Sequence, residues 1–290
     1  MAGAVVQSKL TVGTAGAGLA QAAFAANNTA GNALVVVAFD LAVSGRTFAI
    51  TDTNNSWGTA KVTISDNDEN STMVAFVLGN CAAGANTVKA TCTNGATDQV
   101  AMMQAEISGV TTSPFDVGAG AFPQLPGTSA NAVSSGHGTS ASTAFMLALA
   151  MYTNGGSGSN IAAGTGFTSS ASGNIVVRGW SGMGFGSNPA CLEWQASMAA
   201  GSNAATFTDA TDGTAASYDV IMVMLDESGS GSSSTPGVGT LGASGIAPAV
   251  TPGIATVMTP IVARRTERRM LRQLAACEWH RNCRGGLWVP

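Results

Sequence analysis

A chain of 290 residues with only 10% charged residues and 37 glycines is a poor match for a helix-rich enzyme, and it is long enough to bury a core without disulfide staples. A hydrophobic content of 45% excludes a wholly disordered chain. The formal net charge of −4 hides a division: through Ala263 five Lys or Arg stand against fourteen Asp or Glu, a net of −9, whereas from Arg264 onward seven Arg stand against two acids, a net of +5.

From Gly3 to Glu227 short β-rich segments alternate with Gly, Asn, Asp and Ser, the pattern of an antiparallel sandwich. Ala33 to Phe39, Thr72 to Leu78, Thr143 to Met151 and Tyr218 to Leu225 are near-continuous apolar runs, which predicts central strands covered on both faces. Half-buried strands are predicted at Val5 to Val12, Thr47 to Thr51, Ala60 to Ser65, Asn86 to Thr91, Val100 to Ile107, Asn174 to Trp180, Cys191 to Ser197 and Ala204 to Thr208. So many strands in one unit predict an all-β fold, a jelly-roll-like antiparallel β-sandwich over residues 1–227. Asp52 to Ser56, Asp66 to Asn70 and Asp209 to Gly213 consist of residues that close turns through their own side chains.

Ser228 to Gly239 is a Gly/Ser linker, so residues 228–239 separate the body from a distinct C-terminal part, 240–290. Pro248, Pro252 and Pro260 exclude a continuous helix over Thr240 to Val262 and predict an extended arm. Arg264 to His280 then sets Met270, Leu271, Leu274 and Cys277 on one face at three- and four-residue spacing, with Arg265, Arg268, Arg269 and Arg272 on the rest. That pattern predicts a short basic helix. Its apolar load, with Trp279, Leu287 and Trp288, makes docking on a protein partner the better reading than a free tail. The expected docking residues are Arg264, Arg265, Arg268, Arg269, Met270, Leu271, Arg272, Leu274, Trp279 and Trp288. Direct nucleic-acid binding is disfavoured, because no DNA-reading motif is present and the acidic body repels phosphate.

Chemistry is hard to assemble from this sequence. Only two histidines exist, and His137 sits in a Ser-Gly-His-Gly-Thr stretch that reads as an exposed loop. Gly179 to Met183 misses the nucleophile-elbow spacing and has no strand-and-helix alternation around it. The odd cysteine set, Cys81, Cys92, Cys191, Cys277 and Cys283, predicts free thiols and contains no CxxC pair for zinc. Asp66 to Asn70 lacks the positional pattern of an EF-hand, and Gly13 to Gly18 and Gly182 to Gly186 lack the phosphate-loop GK[ST]. No metal, cofactor or catalytic residue is therefore expected, and the chain reads as a non-enzyme. A glycoside hydrolase stands as a minor alternative, with Glu106, Glu193 and Asp219 as acids. Trp57, Trp180 and Trp194 are candidate glycan contacts, because aromatic faces stack on the apolar faces of sugars. The first ten residues lack the layout of a secretory signal and no apolar run approaches the roughly 20 residues of a membrane span, so neither general secretion nor membrane insertion is expected.

Three stretches carry a resemblance: Asn32-Ala33-Leu34-Val35-Val36-Val37, Gly84-Ala85-Asn86-Thr87-Val88 and Tyr218-Asp219-Val220. With them the body resembles jelly-roll domains of virion proteins of tailed bacteriophages and of some bacterial surface proteins. Pro236-Gly237-Val238-Gly239-Thr240-Leu241 followed by Gly245-Ile246-Ala247-Pro248-Ala249-Val250 is similar to a short segment that recurs in phage structural proteins. The resemblance implies a head decoration, head fibre or tail component, assembled in the host cytoplasm and held to other virion proteins through its C-terminal tail. It also implies a symmetric homo-oligomer, a trimer among the expected forms. A carbohydrate-binding adhesion module that engages cell-surface glycan is the alternative from a different class.

Overall fold

Runs that are apolar at every position form antiparallel strands only where both faces of the sheet are covered. The computed structural model has that arrangement. It describes residues 1–229 except 15, 41–43, 69, 95–98, 123, 126–130, 154–160, 170–174, 178–187 and 210–215. Among the described residues all regular structure is β-strand and every ladder is antiparallel.

The first half contains β1 (Ala4–Val12), β2 (Leu19–Ala23), β3 (Ala33–Asp40), β4 (Phe48–Thr51), β5 (Val62–Asp66), β6 (Ser71–Leu78), β7 (Thr87–Cys92) and β8 (Ala101–Ser108). They form a five-stranded sheet ordered β1-β8-β3-β6-β5 and a three-stranded sheet ordered β2-β7-β4. The second half contains β9 (Val110–Ala121), β10 (Gln124–Leu125), β11 (Asn131–Ser134), β12 (Gly138–Ser140), β13 (Ala144–Tyr152), β14 (Ile161–Ala163) and β15 (Thr168–Ser169). It continues with β16 (Ile175–Val177), β17 (Asn188–Met198), β18 (Gly201–Asn203), β19 (Thr206–Asp209) and β20 (Ala216–Glu227).

The second half repeats the order of the first. Its large sheet runs β9-β20-β13-β17, with β15 and β16 on the far side of β17, and its small sheet runs β11-β19-β14. Strand for strand, β9, β20, β13 and β17 take the places of β1, β8, β3 and β6, and β11, β19 and β14 those of β2, β7 and β4. The additional β10 extends the β20 edge, and β12 and β18 form a separate two-stranded ladder. The described body thus repeats one strand order, where the sequence reading expected a single sandwich.

Three packed spaces lie between the sheets, and the period of two along each strand sorts the side chains among them. In the central space Val35, Val37 and Phe39 of β3 and Met103 and Ile107 of β8 meet Phe145, Leu147 and Leu149 of β13 and Ile221, Val223 and Leu225 of β20. The alternate residues of β3, Leu34, Val36 and Ala38, face the first small sheet and pack with Phe48, Ile50, Val88 and Ala90. The alternate residues of β13 and β20, among them Met146, Tyr152, Val220 and Met222, pack with Val133, Ile161 and Phe207 of the second small sheet. Each of the four apolar runs is buried throughout its core because its sheet is covered twice.

The longest strand not predicted from the sequence is β9, which carries Pro114, Gly118 and Gly120. It is an edge strand with a register shift around Asp116, where Phe115 pairs with Leu225 and Val117 with Met224, and an edge tolerates proline. Gly118 and Gly120 are required by close approach: a Cβ there would lie 2.0 Å from Val62 Cγ2 and 2.3 Å from Ile64 Cγ2, respectively. The smaller β2, β10, β11, β12, β14, β15 and β18 were also unread; β2 is Leu-Ala-Gln-Ala-Ala, poor in β-branched residues. The linker, extended arm and basic helix expected beyond residue 229 lie outside the described residues.

Candidate functional site

The three acids weighed for hydrolysis are separated by whole sheets. Glu106, on β8, points into the space beside the first small sheet, where its oxygens accept from Gln7 Nε2 (2.6 Å), Asn28 Nδ2 (2.9 Å), the Thr29 N–H (2.8 Å) and Asn32 Nδ2 (2.6 Å). Asp219, on β20, points into the central space and accepts from the Ser71 hydroxyl of β6. Glu193, on β17, points toward the second small sheet and accepts from the Gly164 N–H (2.9 Å) and the Thr206 N–H (3.1 Å). All three are fully buried, each in a different space, so no pair of them flanks a common substrate position.

Their electrostatics follow from these partners. Burial alone would raise the Glu106 pKa, but the donors from Gln7, Thr29, Asn28 and Asn32 outweigh it and the net shift is downward. Glu193 has burial against only two backbone donors, and burial wins, pushing it up to about 8. Burial likewise pushes Cys81 up to about 11 and Cys191 to about 12, with the nearby carboxylates Glu106 and Glu193 adding to it. These thiols are protonated at neutral pH and are not nucleophiles. The cysteines Cys81, Cys92 and Cys191 are free, as the odd count predicted; Cys277 and Cys283 lie outside the described residues.

A different carboxylate organises a surface site. Asp52 follows β4 and accepts five hydrogen bonds: the Asn54 N–H (2.9 Å) and Asn55 N–H (2.6 Å) on Oδ1, and Asn55 Nδ2 (2.8 Å), Trp57 Nε1 (3.0 Å) and Asn86 Nδ2 (3.0 Å) on Oδ2. Burial again opposes ionisation, yet the donors of Asn55, Asn86 and Asn54 hold its pKa below the usual value. The turn is sutured to the following loop by Ala82 N–H to Asn55 Oδ1 (2.8 Å) and Asn54 Nδ2 to the Ala85 carbonyl (2.8 Å). Asp52 to Ser56 therefore closes through its own side chains, as its composition predicted, and in doing so it fixes the indole of Trp57.

Beside that indole lies a cleft of about 410 Å³ lined by Arg46 to Ile50, Trp57 to Ala60, Thr63, Val74 and Phe76. Its origin is topological. Strand β5 pairs with β6 in the large sheet, which leaves β4 as the outer strand of the small sheet with the cleft along it. Apolar side chains form the walls, and the only charged lining residue among the described residues, Arg46, has its Nε 3.5 Å from the buried Asp40 carboxylate and donates Nη1 to the Asn94 carbonyl at 3.0 Å.

Of the candidate glycan residues, Trp57 is half-buried, packs against the core beside the first small sheet and borders this cleft. Trp194 is half-buried at the margin of the central core, opposite Leu147 of β13 and Thr168 of β15, so it shares no site with Trp57. Trp180 lies outside the described residues, as do all ten expected docking residues from Arg264 to Trp288. His137 is exposed, as expected, with Nδ1 3.3 Å from Ser202 Oγ. Asp66 caps its own turn by accepting the Asp68 N–H at 2.8 Å. Sequence reasoning missed Asp52 as a site residue, although the cue was present: an Asp two, three and five residues before Asn54, Asn55 and Trp57. No protein-family model matches the chain, and neither a curated protein nor a solved structure matches it.

Proposed function

We propose that this chain is a non-enzymatic structural protein of a bacteriophage virion, a head decoration, head fibre or tail component, anchored through residues beyond Thr240. The observation that carries the reading is the duplicated strand order. In the first half the first, eighth, third and sixth strands share one sheet and the second, seventh and fourth share the other, and in the second half β9, β20, β13 and β17 with β11, β19 and β14 follow the same order. That is the pairing sequence of a jelly roll with the fifth strand moved onto the larger sheet, and it supports the architecture that the virion resemblance implies. A body of two such units joined by an apolar core suits a rigid surface component. The separation of Glu106, Asp219 and Glu193 into three spaces weakens the hydrolase alternative.

In this reading the basic residues Arg264, Arg265, Arg268, Arg269 and Arg272, with Met270, Leu271, Leu274, Trp279 and Trp288, dock on another virion protein. Deletion of residues 264–290 tests the anchor: particles assembled with the truncated chain are expected to lack it, and undiminished incorporation would overturn the assignment. A carbohydrate-binding adhesion role is the second reading, favoured by one observation, the fixed indole of Trp57 beside an open cleft. The two are compatible, since a surface component can also adhere to cells.

A further inference from the structure

We infer that the Trp57 cleft binds a neutral hexopyranose unit of a glycan, with the C–H face of the sugar on the indole and its hydroxyl edge toward the threonine rim. This rests on the adhesion reading and specifies its site and ligand class. The volume of about 410 Å³ lies within the usual range for small-ligand clefts.

Three features select the ligand. Trp57 is tied through Nε1 to Asp52 at 3.0 Å, and Asp52 is itself held by four further donors, so the indole is positioned before any ligand arrives. Pre-positioning removes an ordering cost from binding. The walls at Phe48 and Phe76 are apolar, whereas Thr47, Thr59 and Thr63 are exposed at the rim, which matches a ring with one apolar face and a polar perimeter. Charge decides the rest: Arg46 is paired with Asp40, so the cleft offers no advantage to an acidic sugar.

The test is titration of the full chain with the methyl glycosides of glucose, galactose, mannose and N-acetylglucosamine, and with glucuronate as the charged comparison. Binding is read by isothermal titration calorimetry for the wild type and both variants, and in the wild type also from the indole N–H resonance of Trp57. At least one neutral glycoside is expected to shift that resonance and to bind more tightly than glucuronate. Trp57→Leu, which keeps apolar bulk without a ring face, is expected to lower the affinity about tenfold or more, and Trp57→Phe by less. Thermal unfolding checks that both variants fold; should Trp57→Leu fail to fold, Trp57→Phe and the wild-type resonance still decide. Sugar binding that leaves the Trp57 resonance and both variants unaffected would overturn this site while leaving adhesion intact. Tighter binding of glucuronate would overturn the neutral-ligand assignment, and no binding of any glycoside would overturn the cleft. A glycan array that also stays blank would then remove the adhesion reading, leaving the structural one.

Discussion

Glu106 and Glu193 are both fully buried, yet their pKa values move in opposite directions because four donors surround one and two surround the other. The stability each contributes therefore depends on pH with opposite sign. Glu106 is shifted below its ordinary value of 4.5, so its contribution is present above that value and is lost as pH falls through the lowered folded value. Glu193 is raised to about 8, so its contribution is complete below 4.5 and is lost as pH rises from there through about 8. Urea unfolding as a function of pH should show Glu106→Gln less stable than wild type by about 1–3 kcal/mol at pH 7, because a donor amide then faces a cluster of donors. Glu193→Gln should instead flatten the loss of stability between pH 5 and 8. An unchanged slope in that variant would mean that Glu193 is not the group responsible. At this scale the sequence marked both acids on predicted strands, but only the partners brought in from other strands and loops separate the hydrogen-bonded carboxylate from the desolvated one.

Among the elements, β9 shows how far local patterns reach. Its Gly118 and Gly120 do not encode a turn; they let an edge strand of the second half approach Val62 and Ile64 of β5 in the first. Gly118→Ala is expected to destabilise by about 1–3 kcal/mol through overpacking. Gly58→Ala, where an added Cβ meets no atom within 4 Å, should stay within about 0.5 kcal/mol of wild type. Equal midpoints for the two variants in denaturant would contradict the close approach. The strands with continuous apolar runs, β3, β6, β13 and β20, were legible to within one or two residues at most ends, because burial on both faces writes itself into every position. The short strands of the small sheets were less legible: β2 relies on alanine and β14 spans only Ile161–Ala163, so packing rather than propensity sets them.

For the whole described body, the central space is what makes two repeats one folded unit. It buries Val35, Val37 and Phe39 against Leu147, Leu149 and Val223, and it is tied by hydrogen bonds from Ser71 to Asp219 and from the Gly3 N–H to Glu227, the latter at 2.8 Å. A fragment ending after β8 would expose that face of its large sheet to water, a contiguous apolar surface of the kind that drives association. Residues 1–109 expressed alone should therefore self-associate or aggregate in size-exclusion chromatography. A monomeric fragment with its own cooperative unfolding transition would show that the halves are independent. The duplication itself escaped sequence reading because equivalent strands share pattern and pairing order but few residues: β3 reads ALVVVAFD and β13 AFMLALAMY.

The sequence by itself determined the class of fold, the strands buried on both faces and the turn chemistry of Asp52 to Ser56, since each of these depends on patterns of residues close together in the chain. Only the tertiary structure decided that the body is two repeats back to back, that three candidate acids lie in separate spaces, and that Trp57 and Trp194 edge different cores, with only Trp57 of the two lining the cleft. Those outcomes depend on which sheet each strand joins. Strand β5 pairs with β6, which leaves the cleft along the outer strand β4, and no local pattern in either strand records that choice, because the pairing energy is shared with residues far along the chain.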